Sequence, residues 1–188
     1  AVCDTDPARL AQAQEEQGAD IATFTAIKDL LAWGEFDLAV LILPHNLHAA
    51  VAVQCAKAGK HVITEKPMCV SAKEATQMVE AAEKAGTMLS VFHNRRWDGD
   101  FLALRQIVET GLLGEVFHVE MFSGGYSAPR GWWRDDKVIS GGLMFDWGAH
   151  FIYWLLQLVP SPVASVYGYV QKRKWFELTN EDHAGAII

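Results

Sequence analysis

Short apolar runs alternate with helical segments through the first half of this 188-residue chain. We predict strands over residues 1–3, 21–25, 38–43, 61–64 and 88–92. The run over 38–43 is continuously apolar, which is typical of a parallel strand covered on both faces. Because strands separated by helices are joined by right-handed crossovers, this alternation predicts a parallel sheet with helices packed against it.

Capping residues mark where these helices begin and end. Asp6 precedes Pro7, and Gly18 closes the first helix. Ser71 is placed to cap a later helix, with Glu74 at the capping-box position. That helix is predicted to run to residues 85–86, and another to span about 47–58.

From about residue 93 the pattern changes. A helix is predicted over 100–110, a strand over 115–122, a helix opening at Asp146, and strands over 164–174 and 184–188. Because the last strands follow one another without a convincing crossover helix, we expect them to pair antiparallel. The predicted fold class is α/β, with a parallel sheet in residues 1–92 followed by an α+β domain with a mainly antiparallel open sheet in residues 93–188.

Composition narrows the range of partners. The formal net charge of −7 argues against nucleic acid or an anionic membrane surface as the main partner, because both favour an excess of Lys and Arg. The apolar stretches are too short to span a bilayer. Cys3, Cys55 and Cys69 have no metal-binding spacing, so we expect free thiols in a reducing cytoplasm and no metal site.

Three polar residues suggest chemistry. Lys66 lies in Glu65-Lys66-Pro67 directly after a predicted strand, at the carboxyl edge of the sheet, where ligands bind in open α/β folds. Asp146 and His150 stand four residues apart, which predicts one face of a helix. These groups suit the removal of a proton from an alcohol. The alternatives are a surface lysine, a helix-capping aspartate and a core histidine.

Further motifs stand in a consistent order around these residues. Residues 44–48 read Pro-His-Asn-Leu-His, residues 94–97 read Asn-Arg-Arg-Trp, and Gly141-Gly142 precedes the Asp–His pair. Together they resemble the glucose–fructose oxidoreductase / inositol dehydrogenase / MocA (Gfo/Idh/MocA) family over nearly the whole chain. His45 replaces the asparagine usual in the family's Pro-Asn-x-x-His loop. The resemblance implies that residues 1–92 are a partial Rossmann-type, dinucleotide-binding domain.

The resemblance also implies an activity and a set of site residues. The activity is hydride transfer between NAD(P) and a hydroxyl or carbonyl of a sugar, polyol or related metabolite. The implied catalytic residues are Lys66, Asp146 and His150, with His150 as general base, Asp146 as its partner, and the division of labour between His150 and Lys66 open. The implied cofactor-binding residues are Asp4, Pro44, His45, Asn46, His48, Glu65, Lys66, Asn94 and Arg95. The implied substrate-binding residues are Arg96, Trp97, Trp133, Arg134, Asp146 and His150.

Asp4 occupies the position of the family's ribose-binding acid. A carboxylate there favours NAD over NADP, although a simple turn aspartate is the competing interpretation. The glycine-rich phosphate loop that should precede this acid by roughly 20 residues is absent from the sequence. We therefore interpret the chain as a fragment whose first strand, phosphate loop and first helix lie before Ala1, and whose last strand is cut.

Two other functions compete with this one. A degenerate cofactor- or sugar-binding regulatory module would keep the fold without turnover, and a metal-dependent hydrolase would use Asp146, His150 and a further histidine. The family resemblance also implies a homodimer or homotetramer formed through the second-domain sheet. Finally, the Glu-Lys-Pro turn predicts a cis bond between Lys66 and Pro67.

Overall fold

The fold follows from a computed structural model that describes residues 1–188. In the first half the elements are β1 (Val2–Cys3), α1 (Pro7–Gln17), β2 (Thr23–Phe24), α2 (Ile27–Trp33), β3 (Leu38–Leu41), α3 (His48–Lys57), β4 (His61–Glu65), α4 (Ala72–Ala85) and β5 (Leu89–Phe92). In the second half they are α5 (Gly99–Glu109), α6 (Lys137–Ser140), α7 (Gly148–Leu158), β6 (Tyr167–Gln171) and β7 (His183–Ile187). The predicted strand–helix alternation is confirmed.

Strands β3, β4 and β5 form one parallel sheet in that order. Leu41 pairs with Thr64 and Glu65 pairs with Phe92, so all three strands end at the same edge. The loops that follow them therefore leave the sheet side by side. Strands β1 and β2 form a separate parallel pair, so the parallel strands lie in two sheets.

Local capping behaves largely as the sequence predicts. The Asp6 carboxylate accepts a hydrogen bond from the N–H of Ala8 (2.9 Å), and Pro7 opens α1. The Ser71 hydroxyl accepts from the N–H of Glu74 (3.2 Å) at the start of α4. The Glu74 carboxylate, however, accepts from the N–H of Val70 rather than from that of Ser71 (3.0 Å). The second hydrogen bond of the capping box is therefore made to the residue before the N-cap rather than to the N-cap itself.

The main core lies between the β3–β4–β5 sheet and helices α3 and α4. Its buried members are Ala39, Leu41, Ala49, Ala52, Cys55, Val62, Cys69 and Met78. The expectation that β3 is covered on both faces is wrong, because Leu38 is 42% and Val40 58% exposed. The two side chains alternate with the buried Ala39 and Leu41, so this strand packs a core on one face only.

In the second half the packing centres on α5 and α7. Phe101 is buried, and its ring stacks on the Trp154 indole with centroids 5.3 Å apart. The Trp154 indole N–H also donates to the carbonyl of Arg95 (3.1 Å). Strands β6 and β7 form an antiparallel pair in which Tyr167 faces Ile187, as predicted for the end of the chain.

The strand predicted over 115–122 is not formed. Residues 115–130 make no main-chain hydrogen bonds to other main-chain groups, and Phe117 and Phe122 are 94% and 87% exposed. Alternating apolar residues form a strand only when another strand pairs with them, because the backbone hydrogen bonds of a strand are made to its neighbour. The antiparallel sheet of the second half therefore contains β6 and β7 alone.

The bond between Lys66 and Pro67 is cis, as predicted. All three cysteines are free thiols, and burial raises the pKa of the Cys55 thiol to about 11. None of the helices combines the length and the apolar character required to cross a bilayer.

Candidate active site

The loops after β3, β4 and β5 meet at one sheet edge, and a segment from the second half packs against them. Lys66, on the loop after β4, points its ammonium group at Asp146, which lies 80 residues further along the chain. The ammonium donates to Asp146 Oδ1 and to the main-chain carbonyl of the same residue (3.1 Å). The Lys66 side chain is 12% exposed and that of Asp146 36%, so the ammonium is shielded from water while the carboxylate is still partly open to it.

Asp146 is not on the helix, contrary to the sequence prediction. It follows a 3₁₀ turn (Leu143–Phe145), and α7 begins only at Gly148 with Trp147 as its cap. No hydrogen bond joins the Asp146 carboxylate to His150. Because the carboxylate is paired with the Lys66 ammonium, Asp146 orients Lys66 rather than His150. Burial alone would raise the pKa of Asp146, but the hydrogen bond and charge of Lys66, aided by Arg134, lower it.

His150 lies on the first turn of α7 and is 4% exposed. Its ring meets the Trp147 indole edge-on (centroids 5.7 Å apart) and the His93 ring likewise (6.5 Å). Burial lowers its pKa to about 4, and the positive charges of Lys66 and Arg95 contribute. The imidazole is therefore neutral at ordinary pH, and it makes no hydrogen bond within the protein.

The loop after β3 is clamped by its two histidines. His48 is fully buried, with Nδ1 2.8 Å from the carbonyl of Pro67 and Nε2 2.9 Å from that of Leu43. Its side chain has no free polar atom for a cofactor, so we correct its expected role to bracing the β3 and β4 loops. His45 Nδ1 lies 2.7 Å from the carbonyl of Ser140 and ties the loop to the second half.

Three buried polar atoms at this edge have no hydrogen-bond partner. They are His45 Nε2, Asn46 Oδ1 and His93 Nδ1. Leaving such atoms unpaired costs about 1–3 kcal/mol each, so a buried site that carries several of them is suited to a polar ligand. The expected cofactor positions on the β3 loop therefore fit a group that is rich in hydrogen-bonding atoms, as NAD is.

Asp4 lies just after β1, and its carboxylate makes the local turn that the competing interpretation predicts. Its Oδ1 accepts from the N–H of Asp6 (2.9 Å), which is the local turn. Its Oδ2 accepts from the guanidinium of Arg9 (3.3 Å), a residue that the sequence analysis missed. An arginine beside the acid expected to bind ribose is the arrangement that accommodates a 2′-phosphate. The position of Arg9 is therefore compatible with NADP as well as with NAD.

The Asn-Arg-Arg-Trp segment forms a 3₁₀ turn (Asn94–Trp97) after β5. The Arg95 guanidinium lies 4.4 Å from the centre of a Trp147 ring and bonds Asp98 (2.8 Å). The Arg96 guanidinium lies 4.9 Å from the centre of a Trp97 ring, and both residues are exposed, as Asn94 is. On the neighbouring loop, the carboxylate of Glu65 accepts from the N–H of Lys66 (3.2 Å).

Trp133 and Arg134 reach the site from the long loop. The Arg134 guanidinium lies 4.7 and 4.5 Å from the ring centres of Trp132 and Trp133, and its Nε is 4.0 Å from Asp146 Oδ2. Trp133 also meets the His45 ring edge-on, with centroids 4.7 Å apart. Of these two expected substrate-binding residues, Arg134 therefore stands beside Asp146, and Trp133 packs against Arg134 and His45.

The residues that hold the Asp146 turn in place escaped the sequence analysis. The Glu181 carboxylate, 8% exposed, accepts from the N–H of Leu143 and from the ammonium of Lys137 (2.9 Å each). A Cβ on Gly142 (φ +115°) would lie 2.5 Å from Glu181 Oε1, which gives the Gly-Gly motif a steric explanation. Because 38 residues separate Glu181 from Leu143, no local pattern announces the contact.

Comparison with known proteins agrees with this arrangement. The model of an oxidoreductase family described as an NAD-binding Rossmann fold matches residues 1–93, and that of a GFO/IDH/MocA C-terminal domain matches residues 101–188. Scyllo-inositol 2-dehydrogenase (NADP⁺) IolW of Bacillus subtilis is 32% identical over 148 residues, which cover 78% of this chain and 41% of that protein.

Two solved structures are similar over nearly the whole chain. An NAD-binding protein from Listeria innocua has a TM-score of 0.89 at 28% identity, covering 99% of this chain and 54% of that one. The WlbA dehydrogenase from Bordetella pertussis, in complex with NADH and UDP-GlcNAcA, has a TM-score of 0.82 at 29% identity, covering 98% and 57%. The chain spans about half the length of the curated relatives it matches. With matches across both halves, the chain belongs to the GFO/IDH/MocA family of oxidoreductases.

Proposed function

We propose that the full-length protein is an NAD(P)-dependent oxidoreductase that transfers a hydride between nicotinamide and a hydroxyl or carbonyl of a sugar, polyol or related small metabolite. The observation that carries this proposal is the half-buried Lys66–Asp146 ion pair together with the neutral, unpartnered imidazole of His150. Relatives named as an inositol dehydrogenase and a dehydrogenase bound to NADH and a nucleotide sugar support it.

The site residues divide the work as follows. Lys66 has three N–H donors, of which Asp146 accepts two, so the third is available to the reacting oxygen of the substrate. His150 accepts the hydroxyl proton as general base, because its ring is neutral and carries no other hydrogen bond. When bound, the nicotinamide supplies the hydride acceptor. Asp146 holds the Lys66 ammonium in place through its carboxylate and its main-chain carbonyl.

The remaining expected site residues complete the proposal. Cofactor binding is assigned to Asp4, Pro44, His45, Asn46, Glu65, Lys66, Asn94 and Arg95, and substrate binding to Arg96, Trp97, Trp133 and Arg134. NAD is the favoured cofactor, with NADP open through Arg9. We also propose a cytoplasmic location, a domain boundary between residues 92 and 93, and a homodimer or homotetramer formed through the second-domain sheet.

The proposal is tested by cofactor reduction in the full-length protein with a panel of sugars and polyols. We expect NAD⁺ reduction with at least one panel member, and a loss of turnover by about 10²-fold or more in Lys66→Met. Lys73→Met is the matched control, because Lys73 is exposed on α4. A panel without any reduction of NAD⁺ or NADP⁺, or Lys66→Met turning over at the wild-type rate, would overturn the proposal.

A further inference from the structure

Arg134 is held in an unusual way for a loop arginine. Its guanidinium lies 4.7 and 4.5 Å from the centres of the Trp132 and Trp133 rings, and the second of these indoles is itself packed on the buried His45. Asp135 fixes the base of the loop, since its carboxylate accepts from the N–H groups of Gly131 (2.7 Å) and Trp132 (3.2 Å). The two ring centres are only 5.6 Å apart, so the indoles do not sandwich the guanidinium but hold it from adjacent directions by cation–π contact.

The edge of the same guanidinium has no hydrogen-bond partner in the protein. Its nearest acid is Asp146, at 4.0 Å from Nε, and that carboxylate is already bonded by the Lys66 ammonium. The Arg134 side chain is 34% exposed, so its hydrogen-bonding edge is open to a ligand. In contrast, Arg95, the neighbouring stacked arginine, is neutralised by Asp98 at 2.8 Å.

The charged groups around the catalytic pair are not equally well paired. Lys66 is paired with Asp146 and Arg95 with Asp98, whereas Arg134 only approaches the second oxygen of the Asp146 carboxylate, at 4.0 Å. A guanidinium that is held against two indoles and whose N–H groups have no protein partner presents parallel N–H donors, the geometry that binds a carboxylate or phosphate with two hydrogen bonds.

We propose that Arg134 binds an anionic oxygen group, a carboxylate or a phosphate, on the sugar or polyol substrate. Lys66 and Arg134 approach the two oxygens of the Asp146 carboxylate, so the two cationic groups are close together. The anionic group of the substrate would therefore be on the same sugar ring as the reacting carbon or directly attached to that ring. The inference rests on the proposed function and narrows it from sugars and polyols in general to their acids and phosphate esters.

The test compares matched ligands on the full-length enzyme. The panel contains neutral sugars and their anionic derivatives: glucose with glucuronate and glucose 6-phosphate, and galactose with galacturonate and galactose 6-phosphate. It also contains myo-inositol and inositol 1-phosphate. The readouts are kcat/KM for cofactor reduction and binding by quenching of tryptophan fluorescence. Comparison of the uronates with the phosphate esters shows which of the two anionic groups the enzyme prefers.

The variants test the role of Arg134 itself. Arg134→Gln removes the positive charge, and Arg134→Lys keeps the charge without the planar donor edge. Arg130→Gln is the control, because Arg130 is exposed on the same loop.

We expect kcat/KM for an anionic member to exceed that for its neutral counterpart by at least tenfold. Arg134→Gln should remove this preference, Arg134→Lys should restore it only in part, and Arg130→Gln should leave it intact. Turnover confined to neutral members, or a preference that survives Arg134→Gln, would overturn the inference while the proposed function stands. A panel without turnover of any member would overturn both.

Discussion

At the scale of single residues, the proposed reaction depends on which group takes the substrate proton. Lys66 is committed to Asp146, whereas the His150 ring is buried, neutral and free of hydrogen bonds. In the proposed reaction these two environments separate the tasks, with proton acceptance at His150 and charge stabilisation at Lys66.

His150→Asn should therefore lower kcat by about 10²–10⁴-fold, the usual contribution of a general base. Binding of NADH should change little, because the variant removes a group needed in the transition state rather than for cofactor affinity. Steady-state kinetics and a fluorescence titration with NADH measure the two effects separately. His118→Asn is the control, since His118 is 65% exposed. If His150→Asn kept the wild-type kcat, the base would have to be sought at Lys66.

At the scale of helices and strands, the sequence predicts those features that depend on residues close together in the chain. Asp6 and Ser71 cap their helices as expected because a cap is formed within a few residues. The run over 115–122 is not a strand, because its alternation says nothing about whether a partner strand is present. The direction of the Asp146 carboxylate also escaped prediction, since it is decided by Lys66, which is distant in the sequence.

The 3₁₀ turn that carries Asp146 depends on Glu181. The Glu181 carboxylate bonds the N–H of Leu143, and the carbonyl of Leu143 in turn accepts from the N–H of Asp146 (3.1 Å). Glu181→Gln loses the ionic bond to Lys137, so we expect a loss of about 1–3 kcal/mol in the free energy of unfolding. Denaturant unfolding of the full-length protein measures this loss. Glu177→Gln, at an exposed position on the same loop, should cost less than about 0.5 kcal/mol. Equal effects of the two variants would contradict the anchoring role of Glu181.

At the scale of the whole molecule, burial of histidines links stability to pH. Burial lowers the pKa values of His45, His93 and His150, the last from 6.5 to about 4. Between these two values the unfolded chain binds more protons than the folded one. The stability contribution of these neutral rings is therefore complete above about pH 6.5, and it is lost as the pH falls toward 4.

The free energy of unfolding should fall between pH 7 and pH 4.5, with His150 alone contributing up to about 3 kcal/mol by pH 4. Denaturant unfolding at a series of pH values measures the slope. His150→Asn should flatten it, whereas the exposed His118→Asn should not. A wild-type slope of zero over this range would show that these rings do not stay neutral in the folded protein.

The central claim is that Lys66 and Asp146 act as one catalytic unit, and a double-mutant cycle on kcat tests it most directly. We predict that Lys66→Met and Asp146→Asn each lower kcat strongly. The double variant should be little worse than the more severe single variant, because either change already breaks the unit. Multiplicative losses in the double variant would contradict the account, since they would mean that the two side chains act independently.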